Sequence, residues 1–305
     1  MKGRIMRSTG LWYNVLGEDS NTYTCRARGK FRLDEIKESN PIAVGDFVIF
    51  DHDQKEGHIT ELLPRENLVE RKSVKKTGHS HVLAANVDQA MLIVTLKQPR
   101  TSLGFIDRFL VSSEAYRIPQ VIIFNKTDIL TSEDLKDQND LIRMYSSLGI
   151  ITKSISARDD KNLEEVQSIL QGKTTLIAGH SGVGKSTILN RLSDAIFQSV
   201  NEISNFSEKG THTTTFAEMF QVNSSTFVID TPGVKEWGLM DMTCQEISDY
   251  FPEMRDRRLH CKYGSRCLHL TEPDCAILAA IESGDIALCR YQSYVSMVAG
   301  DDNRR

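Results

Sequence analysis

Eight consecutive residues, Gly179-His180-Ser181-Gly182-Val183-Gly184-Lys185-Ser186, follow the pattern G-x4-G-K-[ST], with Thr187 next in line. Glycines at these positions let backbone N–H groups turn inward around phosphates at a helix N-terminus. Lys185 would reach the β- and γ-phosphates as a catalytic cation, and the Ser186 hydroxyl would ligate magnesium. Asp230-Thr231-Pro232-Gly233 stands at the end of a later apolar strand. Asp230 there can hold the magnesium shell, and the Gly233 N–H can meet a γ-phosphate. Asn125-Lys126-Thr127-Asp128 ends another apolar run, Gln120 to Phe124. The Asp128 carboxylate could accept from N1 and N2 of guanine, whereas adenine N1 is itself an acceptor. Lys126 would lay its stem over the base, and Asn125 would tie the loop together and contact the base edge. Ser156-Ala157 follows the next strand, with the Ala157 N–H expected to donate to guanine O6. These four groups together favour a guanine nucleotide over ATP.

Hydrolysis needs one group more. Val234 follows Gly233, where Ras-like enzymes carry the glutamine that orients the attacking water. A valine side chain neither donates nor accepts, so unassisted turnover is expected to be slow. The cluster Gly210-Thr211-His212-Thr213-Thr214-Thr215 offers His212 as the candidate catalytic group, with an exposed loop histidine as its bland alternative. One of Thr211, Thr213, Thr214 or Thr215 would close on magnesium, with Thr213 and Thr214 set among the nucleotide contacts. The stretch from Asn201 to Gly210 lacks periodicity and reads as a switch loop.

The order of these motifs is unusual. Guanine-nucleotide switches ordinarily run phosphate loop, switch threonine, DxxG, NKxD, SA. Here NKxD (125) and SA (156) precede the phosphate loop (179), the threonines (211–215) and DxxG (230). The cycle is intact but cut between DxxG and NKxD, which is a circular permutation. One consequence is mechanical: the DxxG segment runs through Val234-Lys235-Glu236-Trp237-Gly238 toward the C-terminal part of the chain.

Cys261-x5-Cys267-x-His269-x5-Cys275 supplies three thiolates and an imidazole within 15 residues, a closed tetrahedral set suited to one structural zinc ion. Cys25 and Cys244 read as core residues, and Cys289 is the rival ligand. Arg255, Arg257, Arg258, Lys262 and Arg266 crowd the same region against one acid, Asp256. Arg26, Arg28, Lys30 and Arg32 recur at every second position, so they would share one strand face. Both patches could neutralise RNA phosphates, and each could instead be a solvated charged face.

These residues need a frame. The first 70 or so residues read as short strands, Leu11 to Leu16, Tyr23 to Arg28, Val44 to Phe50 and Gly57 to Leu63, and so as a small barrel, OB-type first and SH3-like second. A polar, basic stretch from Arg71 to His81 reads as a linker. Strands and helices then alternate: Ala90 to Leu96, Phe105 to Ala115, Gln120 to Phe124, Ser132 to Leu148 with a Ser cap, Ile150 to Ile155, Leu163 to Leu170, Thr174 to Ala178, Lys185 to Leu192 and Ser225 to Ile229. That alternation predicts a mainly parallel sheet with helices on both faces. The expected division is 1–72 barrel, 73–238 permuted α/β nucleotide domain and 239–305 zinc-binding helical domain.

The 305 residues carry 37 Lys and Arg against 41 Asp and Glu, a net charge of −4 that by itself weighs against a nucleic-acid binder. Hydrophobic residues at 40% and charged residues at 26% exclude a disordered or fibrous chain. No apolar run of about 18 residues is present, and the N-terminus lacks a signal-peptide core, so a membrane span and export are not expected.

The motif set resembles one known family, the circularly permuted, small-ribosomal-subunit-dependent GTPases called RsgA. The resemblance extends to Val44-Gly45-Asp46, Leu63-Pro64-Arg65, Ala85-Asn86-Val87-Asp88, the threonine cluster and the cysteine cluster, and so covers nearly the whole chain. It implies GTP hydrolysis stimulated by the small subunit and a role in late maturation of that subunit; contact with its rRNA through the two basic patches, and release coupled to hydrolysis, complete the expectation. It also supports the zinc assignment. A cytoplasmic monomer working with GTP, magnesium and one zinc ion is the expectation; a guanine-nucleotide-dependent scaffold with incidental hydrolysis is the alternative.

Overall fold

A computed structural model describes residues 1–28, 42–53, 56–72, 80–159, 161–196, 217–230 and 242–300. The barrel is built from β1 (Lys2–Ser8), β2 (Tyr13–Gly17), β3 (Thr22–Ala27), β4 (Phe47–His52) and β5 (Gly57–Leu62). Strand β1 pairs with both β2 and β4, β3 runs parallel to β5, and β4 pairs with β5, so the ring closes in the OB-type order rather than the SH3-like one. Ile5, Tyr13, Val15, Cys25, Val48, Phe50 and Ile59 fill it. Strand β1 escapes the sequence reading because Ile5 and Met6 are the only large apolar residues among its seven.

The stretch from Arg71 to His81, expected to be a linker, is framed by a β-ribbon. β6 (Leu68–Lys72) and β7 (Ser80–Ala85) pair antiparallel with Lys72 opposite Ser80. Their paired ends, residues 71–72 and 80–81, fall in the polar stretch and so escaped the sequence pattern. Asp46 and Arg65 tie the ribbon's base to the barrel through a two-pronged ion pair at 2.7 and 2.8 Å.

The second half of the sheet runs β10 (Ile151–Ser154), β9 (Gln120–Phe124), β8 (Gln89–Val94), β11 (Thr174–Ala178), β13 (Thr226–Asp230), β12 (Glu218–Asn223). The first five are parallel and β12 is antiparallel to β13. Period-two alternation divides each central strand between two cores. Ala90, Leu92 and Val94 of β8 face Phe105, Phe109 and Leu110 of α1 (Leu103–Ala115) and Tyr145 of α2 (Ser132–Ser147). Met91 and Ile93 face Val166 of α3 (Leu163–Leu170) and Ile188 and Leu192 of α4 (Lys185–Ile196). The cap of α2 is Thr131 rather than the expected Ser132: Thr131 and Asp134 form a reciprocal capping box. Strand β12, also absent from the sequence reading, joins the two halves by pairing with β1, Glu218 opposite Arg7. Arg4 reinforces that junction, lying over the rings of Phe47 and Phe227 and donating to the Asn86 carbonyl at 3.0 Å.

The C-terminal unit carries helices Cys244–Asp249, Pro252–Arg255, Ala276–Glu282 and Leu288–Val298. Its core of Ile247, Phe251, Met254, Ile277, Ile286 and Tyr294 also takes in Val111 of α1. Beside that contact Arg290, 1% exposed, donates to Asp107 of α1 at 2.6 Å and to Glu253 at 2.7 and 3.2 Å. Among the described residues no helix is long and apolar enough to cross a membrane.

Candidate nucleotide site and metal centre

Parallel register decides where the motifs meet. Asp230 lies beside Ile177, Ala178 beside Leu92, Val94 beside Phe124 and Phe124 beside Ser154. All the strands carrying motif residues therefore end on one edge of the sheet, with the phosphate loop, NKxD, SA and Asp230 grouped outside their carboxyl ends. Such a crevice is where open α/β sheets bind ligands.

Asn125 is the hub. It is 2% exposed. Its Nδ2 donates to the Val183 carbonyl at 2.8 Å, and its Oδ1 accepts the Ala157 N–H at 3.0 Å. One side chain thus ties its own motif to two others that lie 58 and 32 residues away in sequence. The Ala157 N–H, expected to face guanine O6, is directed to Asn125 in this structure. Ser156 contributes by donating to Asp128 Oδ1 at 2.8 Å, which orients that exposed carboxylate. Thr127 hydroxyl donates to the Ile155 carbonyl at 3.0 Å and holds the NKxD turn against the SA loop. Lys126 sits in the left-handed region and its ammonium meets the Gln98 carbonyl, so a loop absent from the sequence reading supports the NKxD turn.

Gly179 has φ +147°, and a Cβ there would stand 2.5 Å from the Ile93 carbonyl oxygen. Gly184 has φ +101°, and a Cβ there would collide with Asn125 Nδ2. Both positions demand glycine on conformation and on space. Lys185 curls over the loop, donating to the carbonyls of Gly179 at 2.7 Å and His180 at 2.9 Å. Burial lowers its pKa while Asp230 nearby pushes it back up; burial raises the pKa of Asp230 while Lys185 opposes the shift. The loop is thus a cationic cradle opening on the exposed side chains of Ser181, Ser186 and Thr187. Thr211, His212, Thr213, Thr214, Thr215, Gly233 and Val234 lie outside the described residues, as do Lys30 and Arg32.

The four candidate zinc ligands converge. The donor atoms of Cys261, Cys267, His269 and Cys275 all lie within 4.8 Å of one another, and all four residues are buried. Cys261 and Cys275 sulfurs are 3.9 Å apart, and His269 Nδ1 stands 3.6 and 3.4 Å from them. A tetrahedron with usual zinc bond lengths has S···S edges of about 3.8 Å and S···N edges of about 3.6 Å. The residues therefore fit the ion. Glu272 builds the loop by accepting the backbone N–H groups of Leu268, Leu270 and Thr271. Cys289 stands elsewhere, donating to Met144 Sδ at 3.6 Å, and Cys25 belongs to the barrel core.

The basic patches look different in space. Arg255 pairs with Glu114, Arg257 with Asp285, Arg258 with Asp249 and Lys262 with Asp274. Arg26 lies 3.7 Å over Trp12 with Glu56 nearby, and Arg28 approaches Asp51. The acids come from other elements, so a patch that is basic in sequence is partly matched in the fold.

Family comparisons agree with this architecture. The RsgA N-terminal domain model matches residues 2–59, and the RsgA GTPase model matches residues 62–240. The small ribosomal subunit biogenesis GTPase RsgA of Christiangramia forsetii is 45% identical over 99% of this chain and 97% of its own. The RsgA of Cytophaga hutchinsonii is 44% identical with both chains fully covered. The crystal structure of YjeQ from Thermotoga maritima superposes with TM-score 0.79 at 34% identity, covering 100% of this chain and 99% of that one. The circularly permuted GTPase YloQ gives TM-score 0.75 at 31% identity, covering 100% and 96%. With its permuted motif order reassembled on one sheet edge and its full length matched on both sides, this chain belongs to the RsgA GTPase family.

Proposed function

We propose that this GTPase binds the small ribosomal subunit in the cytoplasm, is stimulated by it, and assists late maturation of that subunit, with hydrolysis driving its release. The observation that carries the guanine-nucleotide half is the Asn125 hub, which locks NKxD, SA and the phosphate loop into one site. The ribosomal half rests on relatives at 42–45% identity that are named small ribosomal subunit biogenesis GTPases.

In this reading Asp128 accepts from guanine N1 and N2, Lys126 covers the base, and Asn125 holds the loops that bracket it. The N–H groups of the loop from Gly179 to Thr187, aligned at the N-terminus of α4, cradle the phosphates, with Lys185 adding charge. Ser186 and Asp230 would hold magnesium, which would neutralise charge between the phosphates when bound. Thr213, Thr214 and Gly233 are assigned to the γ-phosphate side, and His212 to orientation of the attacking water. Cys261, Cys267, His269 and Cys275 would hold a structural zinc whose closed ligand set leaves no catalytic position. Contact with rRNA is assigned to the barrel and the C-terminal unit, where exposed arginines can exchange weak surface ion pairs for phosphates.

GTP turnover of the full chain with and without purified small subunits tests the reading. Stimulation of about tenfold or more is expected, because an arginine-finger-type completion of a GTPase site is worth far more than that. Equal rates, with binding to the subunit retained, would point to a nucleotide-dependent scaffold instead. His212→Ala at full stimulated turnover would remove His212 from the mechanism.

A further inference from the structure

Helix α1 touches two parts of the molecule that the sequence holds far apart. Near its N-terminal end, just after the Ser102 cap, the Phe105 ring stacks on the His180 imidazole of the phosphate loop, with centroids 4.0 Å apart and planes at 30°. In the loop entering the helix, Pro99 stands 3.5 Å from where a side chain on Gly182 would begin. Two residues beyond Phe105, Asp107 takes the Arg290 guanidinium at 2.6 Å and the Tyr145 hydroxyl at 2.9 Å, and Val111 enters the core of the C-terminal unit. At 1.5 Å of rise per residue, Phe105 and Val111 are about 9 Å apart on one hydrogen-bonded rod. The two contacts therefore cannot shift independently of each other.

We propose that Phe105 is a positioning residue for the phosphate loop, and that α1 couples nucleotide occupancy of that loop to the seating of the cysteine-bearing C-terminal unit. This rests on the reading that residues 179–186 hold the nucleotide. Phosphate binding draws loop N–H groups inward, and the stacked His180–Phe105 pair carries that displacement into α1. One turn or less further on, where α1 meets the C-terminal unit, the Asp107–Arg290–Glu253 triad is a discrete device: charge-assisted hydrogen bonds in a dry, low-dielectric setting tolerate little change in length. A small shift of Asp107 changes how firmly the helix Leu288–Val298 is held. Coupling of this kind is reciprocal, so a partner that seats the C-terminal unit would alter nucleotide affinity by the same factor. The route is distinct from any transmission through residues 231–241, and a variant at Phe105 separates the two.

The test uses the full chain, fluorescent mant-GDP titration and amide hydrogen exchange over Leu288–Val298. In the parent protein, saturating GDP is expected to change exchange there by about five-fold or more. Phe105→Leu and Asp107→Asn, measured at saturating nucleotide, are expected to reduce that response to less than about two-fold, within the scatter of uncoupled sites. The proposal is overturned if a parent that binds mant-GDP shows no response, or if either variant keeps the full parental response. If Phe105→Leu fails to fold, Asp107→Asn, on the side of the helix that meets the C-terminal unit, decides alone. Failure of the parent to bind mant-GDP, or binding that survives Lys185→Ala, overturns the phosphate-loop assignment itself and is recognised by that signature.

Discussion

Replacing Arg290 by methionine removes the centre of a buried ion triad and leaves its neighbours standing. Arg290 and Asp107 have side-chain exposures of 2% and 1%, and Glu253 has 9%. Burial pulls the guanidinium pKa down, but Asp107 and Glu253 more than offset it and hold it above its usual value. In Arg290→Met, Asp107 keeps the Tyr145 hydroxyl on Oδ1, while its Oδ2 already lacks a partner among the described residues. Glu253 retains some access to water and can recover hydration, so the penalty concentrates on Asp107. Breaking a buried pair on one side costs about 3–5 kcal/mol, whereas replacing the whole set by apolar groups is often neutral. Tenfold per 1.36 kcal/mol turns that cost into a rise of roughly two to four orders of magnitude in local opening. Native-state hydrogen exchange of the helix Leu288–Val298 measures it directly. Adding Asp107→Asn to Arg290→Met removes the stranded charge and should restore at least about half of the lost protection. A loss below about 1 kcal/mol, or no rescue by the second change, would refute the account of the triad as the lock between α1 and the C-terminal unit.

Protein purified without chelator should contain close to one zinc per chain, and Cys275→Ser should release it and melt the unit around it; a ratio near zero under metal analysis would remove the centre. Asp128→Asn should weaken mant-GDP by at least about tenfold, with xanthosine diphosphate gaining because the new amide can donate to its C2 carbonyl; unchanged guanine preference would reassign the base site. Thr131→Ala should cost about 1 kcal/mol in the stability of α2, read by exchange within Ser132–Ser147. Lys97 and the Thr131 hydrogen bonds depress the Asp134 carboxyl to about 2, so its contribution is present above the ordinary carboxylate pKa and is lost as pH falls toward 2. Exchange protection of the first turn of α2 should therefore decline over that acid range, and Asp134→Asn should abolish the decline.

Much of the fold is legible from local pattern. The strands Gln120–Phe124 and Thr174–Ala178 and the helix Leu163–Leu170 have the bounds their periodicity predicts, because each is apolar on the faces it buries. Strand β1 is not legible: its pairing with β2, β4 and β12 rests on backbone hydrogen bonds that basic side chains do not announce. The ribbon of β6 and β7 is missed because its paired ends, Arg71–Lys72 and Ser80–His81, fall in a polar stretch that reads as a linker. The cap at Thr131 differs from the expected Ser132 because both residues can cap, and only the reciprocal bond to Asp134 selects one. Phe105 and Gln98, which brace the phosphate loop and the NKxD turn, carry no motif at all, since a stack or a carbonyl contact depends on where the helix and loop come to rest.

By itself, the sequence determined the chemistry of this protein. Glycine-rich spacing, the carboxylate of Asp128 and the three thiols with His269 carry the proposal of what is bound, and the cyclic order of motifs specifies that a guanine-nucleotide domain has been permuted. Local patterns suffice there because each motif lies within one turn or loop. Tertiary structure decided what those groups meet. Parallel register brought residues 125, 157 and 183 to one side chain, and α1 connected the phosphate loop to the C-terminal unit. It also decided the charge of the surface, since Glu114, Asp249, Asp274 and Asp285 reach arginines and a lysine that the sequence presents as a cluster opposed by Asp256 alone. Coulomb interactions fall off with distance in space and not along the chain, so only the folded arrangement could settle them.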